Sequence, residues 1–358
     1  MRRILYTALG LAAVGSVGLL LFAWSGLYSV AASRGHWPMV EWVLEFGMEN
    51  SVETHAPNVT PPRLDDPDLI RLGAGHFLFG CAECHGAPGT EVGLVVRGML
   101  PPPPDLSRRV SAWTDQELFW IVKNGIKYTG MPAWPTLDRD DEVWALIAFL
   151  RALPSLDQAA YRALAYGDVP AEPQSGEGVA MSGGASRALG ACARCHGAGD
   201  RPPLSALVPR LHGQPAEMLV EALRAFAAGE RRSGIMEPLA AALSRRAAEE
   251  VATYYAGLAP LPPTSTVQAE SIGRLAAEGD AAAEIPACIS CHDRQALAIY
   301  PRLAAQSARY LENRLRVLWY AQPRTPTQSI MVPIARRLSE QQIRDLSAYF
   351  AGLPPEQR

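Results

Sequence analysis

Residues 75–89 read GHFLFGCAECHGAPG, a Cys-x-x-Cys-His run from Cys81 to His85, and the same spacing returns at Cys192–His196 and Cys288–His292. The chain has six cysteines, and all six lie in these three pairs. None is left for a structural disulfide, so the pairs must be read for their chemistry. Working outward from them, the 358 residues carry a formal net charge of −3 and no long basic run. That balance argues against nucleic acid as a partner. Thirty prolines and thirty glycines favour short helices joined by loops.

Three chemistries use paired cysteines. A zinc site needs four soft ligands, usually two pairs per metal, and three pairs do not divide into two-pair sites. A redox dithiol needs no histidine directly after its second cysteine and normally opens a helix in a βαβ setting, which this chain lacks. Covalent haem accounts for every position: two thiols add to the two vinyl groups, and the next residue brings an imidazole to the iron. The reading is three covalently bound haem c groups, held by Cys81 and Cys84, Cys192 and Cys195, and Cys288 and Cys291, with His85, His196 and His292 as iron ligands.

The first thirty residues suggest where this chemistry takes place. After Arg2 and Arg3 no charge appears until Arg34, and the mostly apolar stretch from Ile4 to Val30 exceeds the roughly 20 residues a membrane span needs. Arginines before the span and Trp24 and Tyr28 near its exit put the N-terminus in the cytoplasm and the rest of the chain outside it. A cleaved signal peptide is the competing reading, because SVAAS offers small residues at a peptidase spacing. Retention is favoured, since a signal peptide's apolar core of roughly 7–15 residues is shorter than this one. Beyond it, HWPMVEWVLEFGMENSV is either a short helix in the headgroup layer, a docking face for a membrane partner, or a stretch packed on the first unit.

Proline-rich joints divide the remainder. The expected organisation is a membrane anchor at 1–32, an interfacial segment and linker at 33–64, and units at 65–155, 170–260 and 265–355. The second and third units are repeats: from Met236 and Met331 onward their closing halves align without a gap, with matching Pro, Leu-Ser and Ala-Gly-Leu, and PRL recurs at Pro209 and Pro301. The first unit follows the same plan in different words. Its closing segment starts with Asp138, Asp140 and Asp141, where the helix dipole favours acids, and carries Val143, Leu146, Ile147 and Leu150 on one stripe.

Each iron needs a sixth ligand or presents an open face. A thioether is a soft neutral donor that favours the ferrous state. Met331 is the only methionine after His292, and Met236 holds the equivalent place in the second unit, ahead of Met218 in a helical run. In the first unit Met99 and Met131 compete, and the loop NGIKYTGMPAWP favours Met131. Core packing would be the default for a lone methionine, but the threefold recurrence outweighs it. Three six-coordinate irons leave no open iron for a substrate, which argues for electron transfer and against an enzyme.

These residues resemble the class I cytochromes c, in which an N-terminal helix crosses a C-terminal helix beside the haem. Gly73 and Phe77 stand eight and four residues before Cys81, as the family's helix-crossing pattern expects. In the second unit Gly184 is present but Ala188 replaces the aromatic, so Tyr254 or Tyr255 is expected to fill the space. The third unit departs further, with a lengthened connection that puts Asp280 eight residues before Cys288. The last two units resemble the halves of tandem two-haem cytochromes c of bacterial periplasms. The resemblance implies an all-α fold, three class I cytochrome c domains in tandem behind a transmembrane helix. It also implies a proline carbonyl against each haem histidine, from Pro209, Pro301 and one of residues 101–104. Arg210 and Arg302, directly after two of those prolines, become candidates to pair with haem propionates.

The expected function is a three-haem relay, taking electrons from a periplasmic donor or quinol-oxidising complex towards a terminal oxidase. The alternative is the cytochrome subunit of a membrane-bound alcohol or aldehyde-type dehydrogenase. Residues 65–151 hold twelve acids and eight bases (−4), 170–260 nine of each (0), and 265–358 nine acids and eleven bases (+2), a gradient hinting at different partners at the two ends.

Overall fold

The structure, a computed structural model, describes residues 1–167, 185–264, 270–293 and 297–355. These residues form helices and loops; no strand occurs among them, only isolated bridges at Ala87–Thr90 and Asp280–Ile285. Helix α1, Arg2–Ser25, is mostly apolar after Arg2 and Arg3, with a mean hydropathy of 2.1 over an 18-residue stretch, and ends where Gly26 turns left-handed at φ +66°. At 1.5 Å per residue its 24 residues are long enough to cross a bilayer. Helix α2, Pro38–His55, covers the stretch for which lipid, partner and packing were all open. Its far end packs on the first unit, with Val52 fully buried and His55 beside Trp120, while Met39, Trp42, Val43 and Phe46 remain exposed.

The first unit is built on α3, Pro67–Gly80, capped by Asp66, whose carboxylate accepts from the Asp68 amide. Helix α4, Asp115–Asn124, starts in a capping box between Thr114 and Glu117. Helix α5, Asp140–Ala152, is the closing helix, and α6, Gln158–Tyr166, returns Tyr161 and Tyr166 to the same core. Helices α3 and α5 cross where Gly73 has no side chain; a Cβ there would collide with the Ala145 carbonyl. Phe77 then meets Phe149 at 5.0 Å, with Tyr161 edge-on. The expected stripe on α5 is buried, and so are Ala145, Ala148, Phe149 and Glu142. A stripe pattern understates a helix covered on more than one side.

The second unit runs α7, Ala185–His196; α8, Ala216–Ala227; α9, Met236–Ala242; and α10, Arg245–Gly257. The third repeats the order with α11, Glu270–Glu278; α12, Ala308–Tyr320; α13, Pro326–Arg337; and α14, Glu340–Gly352. The recurring Leu-Ser now has a physical cause: Ser244 and Ser339 are the N-caps of the closing helices, accepting from the Ala247 and Gln342 amides. In the second unit Tyr255, fully buried, takes the space beside Ala188, and Gly184 lies outside the described residues. In the third unit Gly273 is the glycine that faces the closing helix, with a Cβ there standing 3.2 Å from the Tyr349 ring. The longer connection, turned by Gly279 and the Asp280–Ile285 bridge, moves that glycine to fifteen residues before Cys288.

The repeats meet through a reciprocal pair of glutamines. Gln306 accepts from the Arg210 amide at 2.8 Å and donates to the Arg210 carbonyl at 3.0 Å. Gln214 does the same to Arg302, at 3.0 and 2.9 Å. The first unit docks differently, through charge. Asp66 and Asp68 hold Arg309 of the third unit, and Asp68 also accepts from Ser205 and the Ala206 amide of the second. Buried Glu142 accepts from Trp134, Ser233 and the Gly234 amide and pairs with Arg139 at 3.0 Å.

Candidate functional site

Each attachment segment is a helical turn that puts two thiols and an imidazole on consecutive faces. The His85 amide donates to the Cys81 carbonyl and the His292 amide to the Cys288 carbonyl, while Cys192–His196 closes helix α7. All six thiols are unbridged and half-buried. Burial pushes Cys81 and Cys192 up to about 12 and Cys195 to about 11, so these thiols hold their protons at neutral pH. A redox dithiol or zinc site wants the opposite, a depressed thiol pKa. Among the described residues no cluster of three or more His, Cys, Asp or Glu side chains is placed to hold a bare metal ion.

The imidazoles share one arrangement. Nδ1 of His85 stands 2.9 Å from the Pro104 carbonyl oxygen, Nδ1 of His196 3.0 Å from that of Pro209, and Nδ1 of His292 2.8 Å from that of Pro301. A carbonyl oxygen can only accept, so each Nδ1 must carry the proton and each Nε2 presents a lone pair. Burial lowers His196 to about 4 and lowers His292 as well, which keeps both rings neutral and able to bind a metal. The carbonyl bond fixes the ring and raises its donor strength. Of the four prolines at 101–104, Pro104 takes this role.

The methionines lie in comparable places. Met131 is half-buried in the loop after α4, against the first unit's core, and its amide donates to Thr129 Oγ1 at 3.1 Å. The Met99 methyl lies against Gly130, the residue before Met131. Met236 opens α9 and Met331 lies within α13; each is half-buried and followed two residues later by a proline. Arg210 and Arg302 sit at the repeat interface, where Arg210 Nη1 donates to the Pro262 and Ala305 carbonyls and Arg302 Nη1 to that of Gly213.

Residues 68–150 match a family model described as cytochrome c oxidase, cbb3-type, subunit III. The thiosulfate dehydrogenase electron acceptor of Stutzerimonas stutzeri (strain A1501) is 34% identical over 191 residues, covering 51% of this chain and 88% of that protein. Cytochrome c4 of Thiocapsa roseopersicina is 34% identical over 196 residues, covering 52% of this chain and 98% of its own. The chain belongs to the c-type cytochromes. The solved cytochrome c4 of Acidithiobacillus ferrooxidans superposes on 45% of this chain and 98% of its own at 30% identity, with a TM-score of 0.41.

As a c-type cytochrome the protein is an electron carrier with covalently bound haem c, and its three Cys-x-x-Cys pairs fit three such groups. The cytochrome also gathers half-buried cations, groups a carboxylate could pair with. Arg231, stacked on Phe226 at 4.6 Å, leaves its Nε without a hydrogen-bond partner among the described residues. Arg314 lies close by without an ion pair among those residues, and burial together with the Arg231 charge lowers it. Burial likewise lowers Arg210.

The sequence reading missed Asp66, Asp68, Glu142, Gln214, Gln306 and Arg309, the residues that hold the units in place. One signal was available: PRL extends to PRLxxQ in both repeats, so Gln214 and Gln306 were legible as a pair. The carboxylates were counted only towards net charge. Three of the first unit's acids, Asp66, Asp68 and Asp138, are engaged by Arg309 and Arg232, so part of the charge gradient serves internal docking.

Proposed function

We propose that the chain is a three-haem relay, with His85 and Met131, His196 and Met236, and His292 and Met331 as axial ligands. We place it at the periplasmic face of a bacterial inner membrane, anchored by α1. The observation that carries this reading is the threefold recurrence of one donor set: a thiol pair, an imidazole oriented by a proline carbonyl, and a half-buried methionine. When bound, each haem takes up and releases one electron at its iron. The chain's own residues supply the attachment thiols, hold the imidazoles in the Nε2-donating tautomer and keep water from the ligands. Arg210 and Arg302, at the repeat interface, together with Arg231 and Arg314, supply cations for the propionates.

A terminal oxidase is the favoured electron acceptor, supported by the family model matched on residues 68–150. A dehydrogenase as electron source is the second reading, supported by relatives named as electron acceptors of thiosulfate dehydrogenase. The domain limits at 65–155, 170–260 and 265–355 belong to the same proposal. Purification from membranes followed by iron and pyridine haemochrome assay tests it: three haems per chain are expected, and one or two would overturn it. Copurification with an oxidase or with a dehydrogenase separates the two readings of partner.

A further inference from the structure

We propose that the middle unit is an internal station, its haem-attachment segment closed to outside redox proteins by the first unit, so that exchange with partners falls to the first and third units. This rests on the relay reading. The three segments differ in what lies between their cysteines. Glu83 in the first unit and Ile289 and Ser290 in the third are exposed, whereas Arg194 in the second is 7% exposed and His196 8%. The cover comes from the first unit. The Arg194 guanidinium lies over Phe79 at 5.8 Å and over Tyr166 at 5.4 Å, on helices α3 and α6.

Beside it, Gly75 of α3 faces the second attachment segment, since a Cβ there would stand 3.7 Å from Cys195 Sγ and from Leu204. Only a residue without a long side chain lets α3 lie on that thiol. The helix is pinned in this position at its start, where Asp66 and Asp68 bind Arg309 and Asp68 also binds Ser205 and Ala206. The second unit is also engaged by the third, through Gln214 and Gln306. It is therefore flanked by both neighbours, while the same helix α3 leads from Gly75 to Cys81, the first attachment residue of the first unit.

Arginine modification tests the cover on the full haem-loaded chain in detergent. With phenylglyoxal as the probe and peptide mass analysis as the readout, Arg194 is expected to react at least about tenfold more slowly than Arg245 and Arg246, because a buried group reacts only through local opening. Those two reference side chains are 93% and 89% exposed. Gly75→Trp should bring Arg194 towards the reference rate, and Gly75→Ala, whose methyl makes ordinary contact, should leave it protected. Labelling of wild-type Arg194 at the reference rate overturns the inference. So does continued protection in Gly75→Trp at unchanged haem content, since the cover would then not come from α3. A haem count below three overturns the relay reading instead, and the labelling does not depend on that count.

Discussion

The two internal interfaces of this cytochrome are made from different chemistry. The duplicated units are joined by side-chain bonds to backbone, related by the repeat itself: the neutral amides of Gln214 and Gln306, and the guanidiniums of Arg210 and Arg302 on carbonyl oxygens. The first unit is joined to them by carboxylates: partly exposed Asp66 and Asp68 on Arg309, and buried Glu142 on Ser233 and the Gly234 amide. Neutral bonds respond little to pH and salt, whereas ionic ones respond to both. The tandem pair is thus the constant body of the molecule, and the first unit is the part whose docking depends on conditions.

The largest way to break the contrast is Glu142→Ala. It strips Arg139 of a buried partner and leaves Trp134, Ser233 and the Gly234 amide without their acceptor, at a cost of about 3–5 kcal/mol. Denaturant unfolding should show an early transition for the first unit, with the tandem pair unchanged; a single unshifted transition would contradict it. Gln214→Ala and Gln306→Ala come next. Each removes two bonds at a buried interface, and a loss of about 1–3 kcal/mol is expected. The quasi-symmetry predicts similar losses for the two, measurable by thermal unfolding, and a large inequality would show that the interface is not equivalent on its two sides.

The response to acid is smaller and has a definite sign. Burial alone would raise Asp141, but Arg139 and Asn313 hold it down at about 2, below its ordinary 3.8. A depressed folded pKa gives stability that is complete above the ordinary value and fades as pH falls towards 2. Proteolytic cleavage between the first unit and the pair should therefore rise between about pH 4 and pH 2, ahead of any loss at the glutamine interface. Smallest is the effect of salt. Arg309 with Asp66 and Asp68, and Arg232 with Asp138, are partly exposed, and raising ionic strength to about 1 M should cost at most about 1 kcal/mol in the same assay.

Much of the fold was legible because its signals are local. Gly73 and Phe77 announced the helix crossing eight and four residues from a cysteine, and both stand at the α3–α5 contact. The third unit resisted the same rule, since an inserted turn at Gly279–Ile285 moved the crossing glycine to Gly273, outside the spacing at which it was sought. At the candidate site, Pro104 had to be chosen from four adjacent prolines, which only the position of His85 could do. Arg210 and Arg302 were marked for propionates by adjacency, but adjacency cannot show that one guanidinium nitrogen of each is already committed across the repeat interface.

By itself the sequence determined the attachment chemistry, the duplication, the apolar first helix and the caps that start the closing helices, because each depends on residues within a few positions of one another. Tertiary structure alone decided that Asp68 binds both later units, that Glu142 is a buried anchor and that Gly75 lies on Cys195. Those contacts join residues about 90 to 240 positions apart, through types that elsewhere would be ordinary solvated acids or a weak spot in a helix. Their meaning comes from what the fold brings against them.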